Sequence, residues 1–424
     1  MQASRISIYA FIAVQLTCLI WIEISIAGPF SPPPPIRVGI LHSLTGTMSA
    51  SEKPVVDATL LAIEEINAQG GLLGHRIEAV IADGKSDEEV FAREAERLIS
   101  EEHVSVLFGC WTSASRKAVL PVIEAHNHLL FYPVQYEGME QSEDVIYTGA
   151  VPNQQILPTV NWAVRTFGPR LYLLGSDYIF PHAANWLIRK QALLLQAEIV
   201  GEHYVKLGSP DMNALIADIR RSKPDVILNT VNGSSNIALF HALKAAGITS
   251  KQVPVISFSL GAAGMQAIPA DEVVGHYAAW SYFQSLPGEA NSRFTRAYHQ
   301  KYGNLPITDP MEAAWIGVNL WASAVRGART WSPNVIHHSV LSQSMAAPEG
   351  VVSVDPVSHH LWKTARIGKI NTNKQFDIVW SSAKPLRPYP YPLLITRHEA
   401  DLFLGQLNMD WNGHWSSRPE LVQP

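Results

Sequence analysis

Two side chains in one stretch of this 424-residue chain have the chemistry of a nucleophile, Cys110 and Ser113. Either could attack an amide carbonyl, but only with a base held beside it. Gly109-Cys-Trp-Thr-Ser113 is not the Gly-x-Ser-x-Gly elbow of the hydrolases, because its glycine and serine bracket the wrong positions. No histidine is placed by the same turn, so Cys110 is expected as a small buried residue, the commoner fate of a free cysteine. Sixteen histidines invite a metal, yet His337-His338 and His359-His360 are adjacent pairs, and neighbours in sequence do not face one site. Neither His-Glu-x-x-His nor Cys-x-x-Cys occurs. Gly70-Gly-Leu-Leu-Gly74 follows a helix pattern rather than a strand, so it is no phosphate loop. The expectation is a binding protein, not an enzyme, with no catalytic residue, no metal and no cofactor.

The same stretch must be held by a strand, a turn and a helix. Val106-Leu-Phe108 has strand character and runs into Gly109, and small polar residues follow it. From Ser115 the apolar spacing is helical, and Ser113 and Ser115 stand where they could cap it. Before it come a strand at 36–41, a helix through Val55, Ala58, Leu61, Ala62 and Ile66, a strand at 76–82 and a helix at 88–100. A strand at 129–132 follows. The pattern then restarts: helices at 153–167, 181–195, 211–221 and 234–246 alternate with strands at 170–174, 199–204, 226–231 and 253–258. A return segment has a strand at 276–281, helices at 289–302 and 310–325, and antiparallel strands at 361–370 and 376–380. The tail from Pro385 has little periodicity and is expected to wrap the surface or to be partly disordered. Such alternation gives α/β architecture, with parallel sheets covered on both faces, here in two tandem halves.

Ligands of such sheets sit at the C-terminal ends of the strands. Turns at 43–47, 110–115 and 132–138 come from the first half and one at 176–181 from the second, which describes a cleft between two lobes. They bring Trp111, Ser113, Tyr132, Gln135, Tyr136, Tyr178 and Phe180: flat apolar surface with neutral donors and acceptors. That suits a small, planar, uncharged polar molecule. Arg116, Lys117, Glu137 and Asp177 lie in or beside these turns and are expected to pair with one another or within loops.

A formal charge of −5 offers no basic field for nucleic acid. Arg5, an apolar run over 6–22 and Ser25-Ile-Ala27 make a secretory signal peptide, with an uncleaved membrane tether as the competing reading. Once it is removed, Cys110 is the sole thiol, so no internal disulfide can form. Pro32 to Pro35 is a stiff spacer before the fold.

At these residues the chain resembles the type I periplasmic solute-binding proteins, in the branch that binds urea and short-chain aliphatic amides. The matching stretches include Val38-Gly-Ile-Leu-His-Ser-Leu-Thr-Gly-Thr-Met48, Phe108-Gly-Cys-Trp-Thr-Ser-Ala-Ser-Arg-Lys117, Tyr132-Pro-Val-Gln-Tyr-Glu-Gly138, Gly175-Ser-Asp-Tyr-Ile-Phe-Pro181 and Asp309-Pro-Met-Glu-Ala-Ala314. The resemblance implies two doubly wound parallel-sheet lobes joined by three crossings, closing on ligand by a hinge. After the signal peptide (1–27) and the proline-rich linker (28–35) read from the residues themselves, the expected division is lobe 1 (36–150 and 280–345), lobe 2 (151–279 and 346–384) and a C-terminal tail (385–424). The resemblance implies Trp111, Ser113, Tyr132, Tyr178 and Phe180 as pocket residues, Val134 and Gln135 as wall, and Asn232, Ser257, Trp280 and Asp309 as further ligand contacts. The expected function is extracytoplasmic capture of urea or an amide for the permease subunits of an ABC transporter. The alternative is a receptor component that senses such a ligand and signals to a regulator, since Pro385-Leu-Arg-Pro-Tyr-Pro390 is similar to the end of the amide sensors.

Overall fold

The computed structural model describes residues 33–417. The expected signal peptide, Cys18 and residues 418–424 lie outside the described residues.

The first half runs β1 (Ile36–His42), α1 (Ser49–Ala68), β2 (Ile77–Asp83), α2 (Glu88–Ser100), β3 (Leu107–Gly109), α3 (Ser113–Ala125), β4 (Leu130–Tyr132) and β5 (Val145–Tyr147). The strands pair in the order β2-β1-β3-β4-β5, all parallel. Period-2 alternation divides β1 between two cores: Val38 and Ile40 join one, Leu41 the other. β5 was not expected, because three residues are too few to show a period.

The second half opens with one 3₁₀ turn and continues through α4 (Ile156–Phe167), β6 (Arg170–Ser176), α5 (Ile179–Leu194), β7 (Glu198–Val205), α6 (Asn213–Ser222), β8 (Val226–Thr230), α7 (Ser235–Ala245), β9 (Val255–Ser257), α8 (Ala270–Val273) and β10 (Tyr277–Trp280). The chain then returns to the first half with α9 (Glu289–Tyr302), α10 (Asp309–Ala328) and α11 (Pro333–Ser339). Three short strands follow, β11 (Ser344–Ala347), β12 (Gly350–Val354) and β13 (Leu361–Trp362), in an antiparallel sheet of their own. β14 (Arg366–Ile370) and β15 (Phe376–Ser381) complete the second sheet, ordered β15-β14-β10-β9-β8-β6-β7. Its β10-β9-β8-β6-β7 part is parallel, and β14 and β15 are antiparallel.

Each large sheet is covered on both faces, so two lobes carry four apolar cores. The structure redraws one boundary. Residues 346–362 were expected in the second lobe. Ala347, Val352, Val354 and Leu361 instead share a core with Val38 and Trp321 of the first. The stretch 361–370, read as one strand, is two strands in different sheets with a crossing between them.

The tail also differs from expectation. α12 (Arg397–Asp410) is a helix docked on the second lobe, with Ala400 and Leu404 buried in its core. Phe403 stacks on Trp186 of α5 at 4.6 Å and 6°. The helix has a capping box: Glu399 N–H donates to Thr396 Oγ1 at 3.1 Å, and Thr396 N–H donates to Glu399 Oε2 at 2.8 Å.

Candidate ligand site between the lobes

Gly109 ends β3 where β1 is nearest. A Cβ there would stand 2.2 Å from the carbonyl oxygen of Leu41, so the close approach requires glycine. Cys110 follows with φ of 66°, a left-handed turn that carries Trp111 out of the strand direction. α3 is then capped by Thr112, whose Oγ1 accepts the N–H of Ser115 at 3.0 Å. Ser113 and Ser115 were the expected caps. With Thr112 in that role, the Ser113 hydroxyl is used elsewhere.

Trp111 reaches across to the second lobe, where its indole N–H donates to Asn232 Oδ1 at 3.3 Å. Asn232 is held after β8 by its own N–H, which donates to Ser176 Oγ at 3.0 Å, and by its Nδ2, which donates to the carbonyl of Thr230 at 3.1 Å. Trp280, at the end of β10, donates its indole N–H to the carbonyl of Leu260 at 3.1 Å. Between the two tryptophans lies a cavity of about 30 Å³, whose wall also includes Ser51, Gly233, Asn236, Ser259 and Thr308. Among the described residues no charged side chain lines it. Gln135, on the loop after β4, spans the lobes beside it, with Nε2 donating to the carbonyl of Phe258 at 2.9 Å and to Ser259 Oγ at 3.0 Å. Its Oε1 is buried with no hydrogen-bond donor among the described residues. Val134, next to Gln135, is buried under the backbone of Gly149.

A second group surrounds a charge cluster behind this cavity. Arg116 is fully buried and donates Nε to Glu140 Oε1 at 2.7 Å and an Nη to Glu137 Oε1 at 2.9 Å. Lys117 Nζ donates to Glu140 Oε2 at 2.9 Å. Ser113 donates its hydroxyl to Glu137 Oε2 at 2.5 Å. The guanidinium lies 4.8 Å from the Tyr132 ring and 4.3 Å from that of Tyr136. Tyr132 donates its hydroxyl to the carbonyl of Trp111 at 2.6 Å, which ties the cluster to the cleft wall. Burial opposes ionisation of Glu140, but Arg116 and Lys117 outweigh it and hold the carboxyl far below its ordinary value. The expected pairing of Arg116, Lys117 and Glu137 therefore takes this form, and both cations are used within the fold. Burial pushes the Tyr132 and Tyr178 phenols up. His360, stacked on Tyr147 at 4.1 Å, is pushed down to about 3 by burial. The neutral ring donates from Nδ1 to the carbonyl of Ser358 at 2.5 Å and accepts the Tyr136 hydroxyl at Nε2 at 2.5 Å. Cys110 lies in the same interior. Burial pushes its thiol well above the ordinary range, which removes the thiolate that nucleophilic attack requires.

The remaining expected residues are placed as follows. Tyr178 and Phe180, at the start of α5, are buried in the second lobe's core together with Ala114 of α3. Ser257 lies within the sheet, where its Oγ accepts from Asn229 Nδ2 at 3.0 Å. Asp309 heads α10, and its Oδ2 accepts the N–H groups of Ser281 at 2.8 Å and Tyr282 at 2.7 Å. It thereby fixes the second crossing between the lobes. Lys363 Nζ, on the third crossing, donates to the carbonyl of Thr148 on the first at 3.0 Å and pairs with Glu349 Oε1 at 3.0 Å. The structure thus gathers Trp111 and Trp280 at one cavity, with Asn232 bonded to Trp111 and Gln135 bonded to Ser259 of its wall, puts Ser113 and Tyr132 in the charge cluster, and gives Asp309 to the second crossing. Gly233, Asn236 and Ser259 were not singled out in the sequence. They follow β8 and β9, so the strand-end rule that found the first-half turns, applied to every strand of the second half, would have found them.

A family model described as a periplasmic binding protein domain matches residues 36–397. Leu/Ile/Val-binding protein homolog 8 of Brucella abortus is 20% identical over 416 residues, covering 92% of this chain and 97% of that one. Limonene hydroxylase of Geobacillus stearothermophilus is 32% identical over 117 residues, so that the match spans 27% of this chain and only 21% of that protein. The solved amino acid ABC transporter substrate-binding protein from Pseudomonas fluorescens Pf-5 superposes with a TM-score of 0.76 at 17% identity, covering 87% of this chain and all of that one. At that identity the likeness concerns the fold.

Proposed function

The chain belongs to the periplasmic binding protein family, and from that premise we propose that it captures urea or a short-chain aliphatic amide for an ABC transporter. The family places it outside the cytoplasm as a solute-binding protein rather than an enzyme. The identity of the solute is our reading. The observation that carries it is the neutral lining of the small interlobe cavity. A space of about 30 Å³ between two indoles suits a molecule of a few heavy atoms. An amino acid would bring a carboxylate and an ammonium, and burying either without a partner is costly. Arg116 and Lys117 cannot serve the carboxylate, because Glu137 and Glu140 engage them. Gln135 Oε1 offers the kind of acceptor that an amide N–H would satisfy.

In this mechanism the solute enters the open cleft and its planar face packs on Trp111 and Trp280. Neutral side chains such as Gln135 take its hydrogen bonds. Closure of the lobes about the hinge excludes water, and the closed form is what permease subunits would recognise. The test is a calorimetric screen of urea, formamide, acetamide, leucine and glutamate. Saturable binding of urea or an amide with no heat from either amino acid is expected. Tight binding of leucine or glutamate alone would overturn the assignment.

A further inference from the structure

Beyond α12, residues 411–417 run back over the cleft and hold both lobes. On the second lobe, the N–H of Ile179 donates to the carbonyl of Trp415 at 3.0 Å, and the N–H of Ser417 donates to the carbonyl of Asp177 at 3.2 Å. Ser416 forms a bridge with Tyr178. The first of these bonds meets a need of α5. Tyr178 provides no side-chain cap, so the helix takes its first N–H partner from the tail. On the first lobe, His414 Nδ1 is 3.0 Å from Glu88 Oε1, and Lys117 Nζ stands 4.8 Å from the centroid of the Trp415 ring. Ser416 also closes a cavity of about 40 Å³ whose wall includes Thr112 and Ser115 from one lobe and Leu207 from the other. The turn itself is braced: Asn408 Nδ2 donates to the carbonyl of His414 at 3.0 Å.

We propose that residues 411–417 are an intramolecular latch that holds the two lobes closed before any solute binds. The segment is anchored on the second lobe through α12, so hinge opening must part it from Glu88 and Lys117 or peel it from Asp177 and Ile179. The latch shifts the open–closed equilibrium of the unliganded chain toward the closed form, and its loss reduces the population of that form. The latch acts on the lobes themselves, so its test needs no ligand and is independent of which solute the cleft takes.

The experiment compares the full chain with a chain ending at Asp410, which keeps the whole of α12, and with the full-length double variant Trp415→Ala/Glu88→Gln. Small-angle X-ray scattering of each is measured without ligand. Hydrogen exchange at the Ile179 amide is followed in parallel. The full chain is expected to scatter as the closed structure. Both variants are expected to show a larger radius of gyration, and the chain ending at Asp410, which lacks the Trp415 carbonyl, roughly tenfold faster exchange at Ile179. An expanded full chain in ligand-free solution would overturn the latch, and so would variants with unchanged scattering.

Discussion

Replacing Arg116 with methionine tests whether the charge cluster behind the cleft is what holds the α3 loop in place. The side chain is fully buried and is tied to Glu140, Glu137 and Ser113. Methionine fills much of the same volume and removes the charge. Glu140 keeps Lys117 at 2.9 Å and the Tyr147 hydroxyl at 2.9 Å, but Glu137 loses its guanidinium partner. Removing one partner of a buried ion pair costs about 3–5 kcal/mol, because the other charge stays buried without compensation. For a unit of this size each kcal/mol shifts Tm by about 2–4 °C, so a drop of about 6–20 °C is expected near neutral pH. The sign of the pH dependence follows from Glu140. Its folded carboxyl sits far below the ordinary 4.5, with Arg116 and Lys117 overcoming the opposing effect of burial. A depressed value gives stability that is present above the unfolded pKa and is lost as pH falls through the folded one. The parent therefore weakens on acidification below about pH 4.5. The variant, whose Glu140 titrates higher, weakens less, and the Tm gap narrows toward about pH 3. Melting curves by circular dichroism at several pH values read both effects. The double variant Arg116→Met/Glu137→Gln should recover most of the loss, since Glu140 keeps Lys117 and no carboxylate of the cluster is left without a cation. A Tm near neutral pH within about 2 °C of the parent, or a gap that widens on acidification, would refute the reasoning.

Trp111→Ala removes one wall of the cavity and the indole bond to Asn232; calorimetry with urea should show at least a tenfold weaker affinity, roughly, with a well-folded circular dichroism spectrum. Equal affinity would remove Trp111 from the proposed pocket. Leu404→Ala in α12 should cost about 2–5 kcal/mol in guanidinium denaturation, because the side chain is only 6% exposed and packs in the second lobe's core. A surface-like effect under about 0.5 kcal/mol would mean that the helix is not docked. Cys110 should resist iodoacetamide in the native protein and react on unfolding, as peptide mapping by mass spectrometry will show, since burial both hides the thiol and raises its pKa.

Much of the first lobe was legible in the sequence because its signals are local. Period-2 alternation marked β1, and helical spacing marked α1 and α2. A strand ending at Gly109 with hydroxyls after it marked the edge that carries Trp111. The tail shows where a local signal was present and passed over. Thr396-Arg-His-Glu399 is a capping box, and the residues after it form α12, whose apolar side chains become legible as a core face only once α5 lies beneath them. The boundary at 346–362 was not legible. Strands of two to five residues have no measurable period, and the core they join depends on where α10 packs.

For Val106 to Lys117, composition and spacing alone determined a strand, a tight turn and a helix start, with no histidine placed by the same turn. That much follows from steric and hydrogen-bonding rules acting over a few residues. Only the tertiary structure decided how those side chains are spent: Trp111 reaches Asn232, and Ser113 turns inward to Glu137. It alone showed that both cations beside the turn are neutralised by carboxylates more than twenty residues away, Arg116 by Glu137 and Glu140, Lys117 by Glu140. Charge compensation acts through space between groups the chain brings together late. A sequence states which charges exist, and the packed fold states which remain for a ligand.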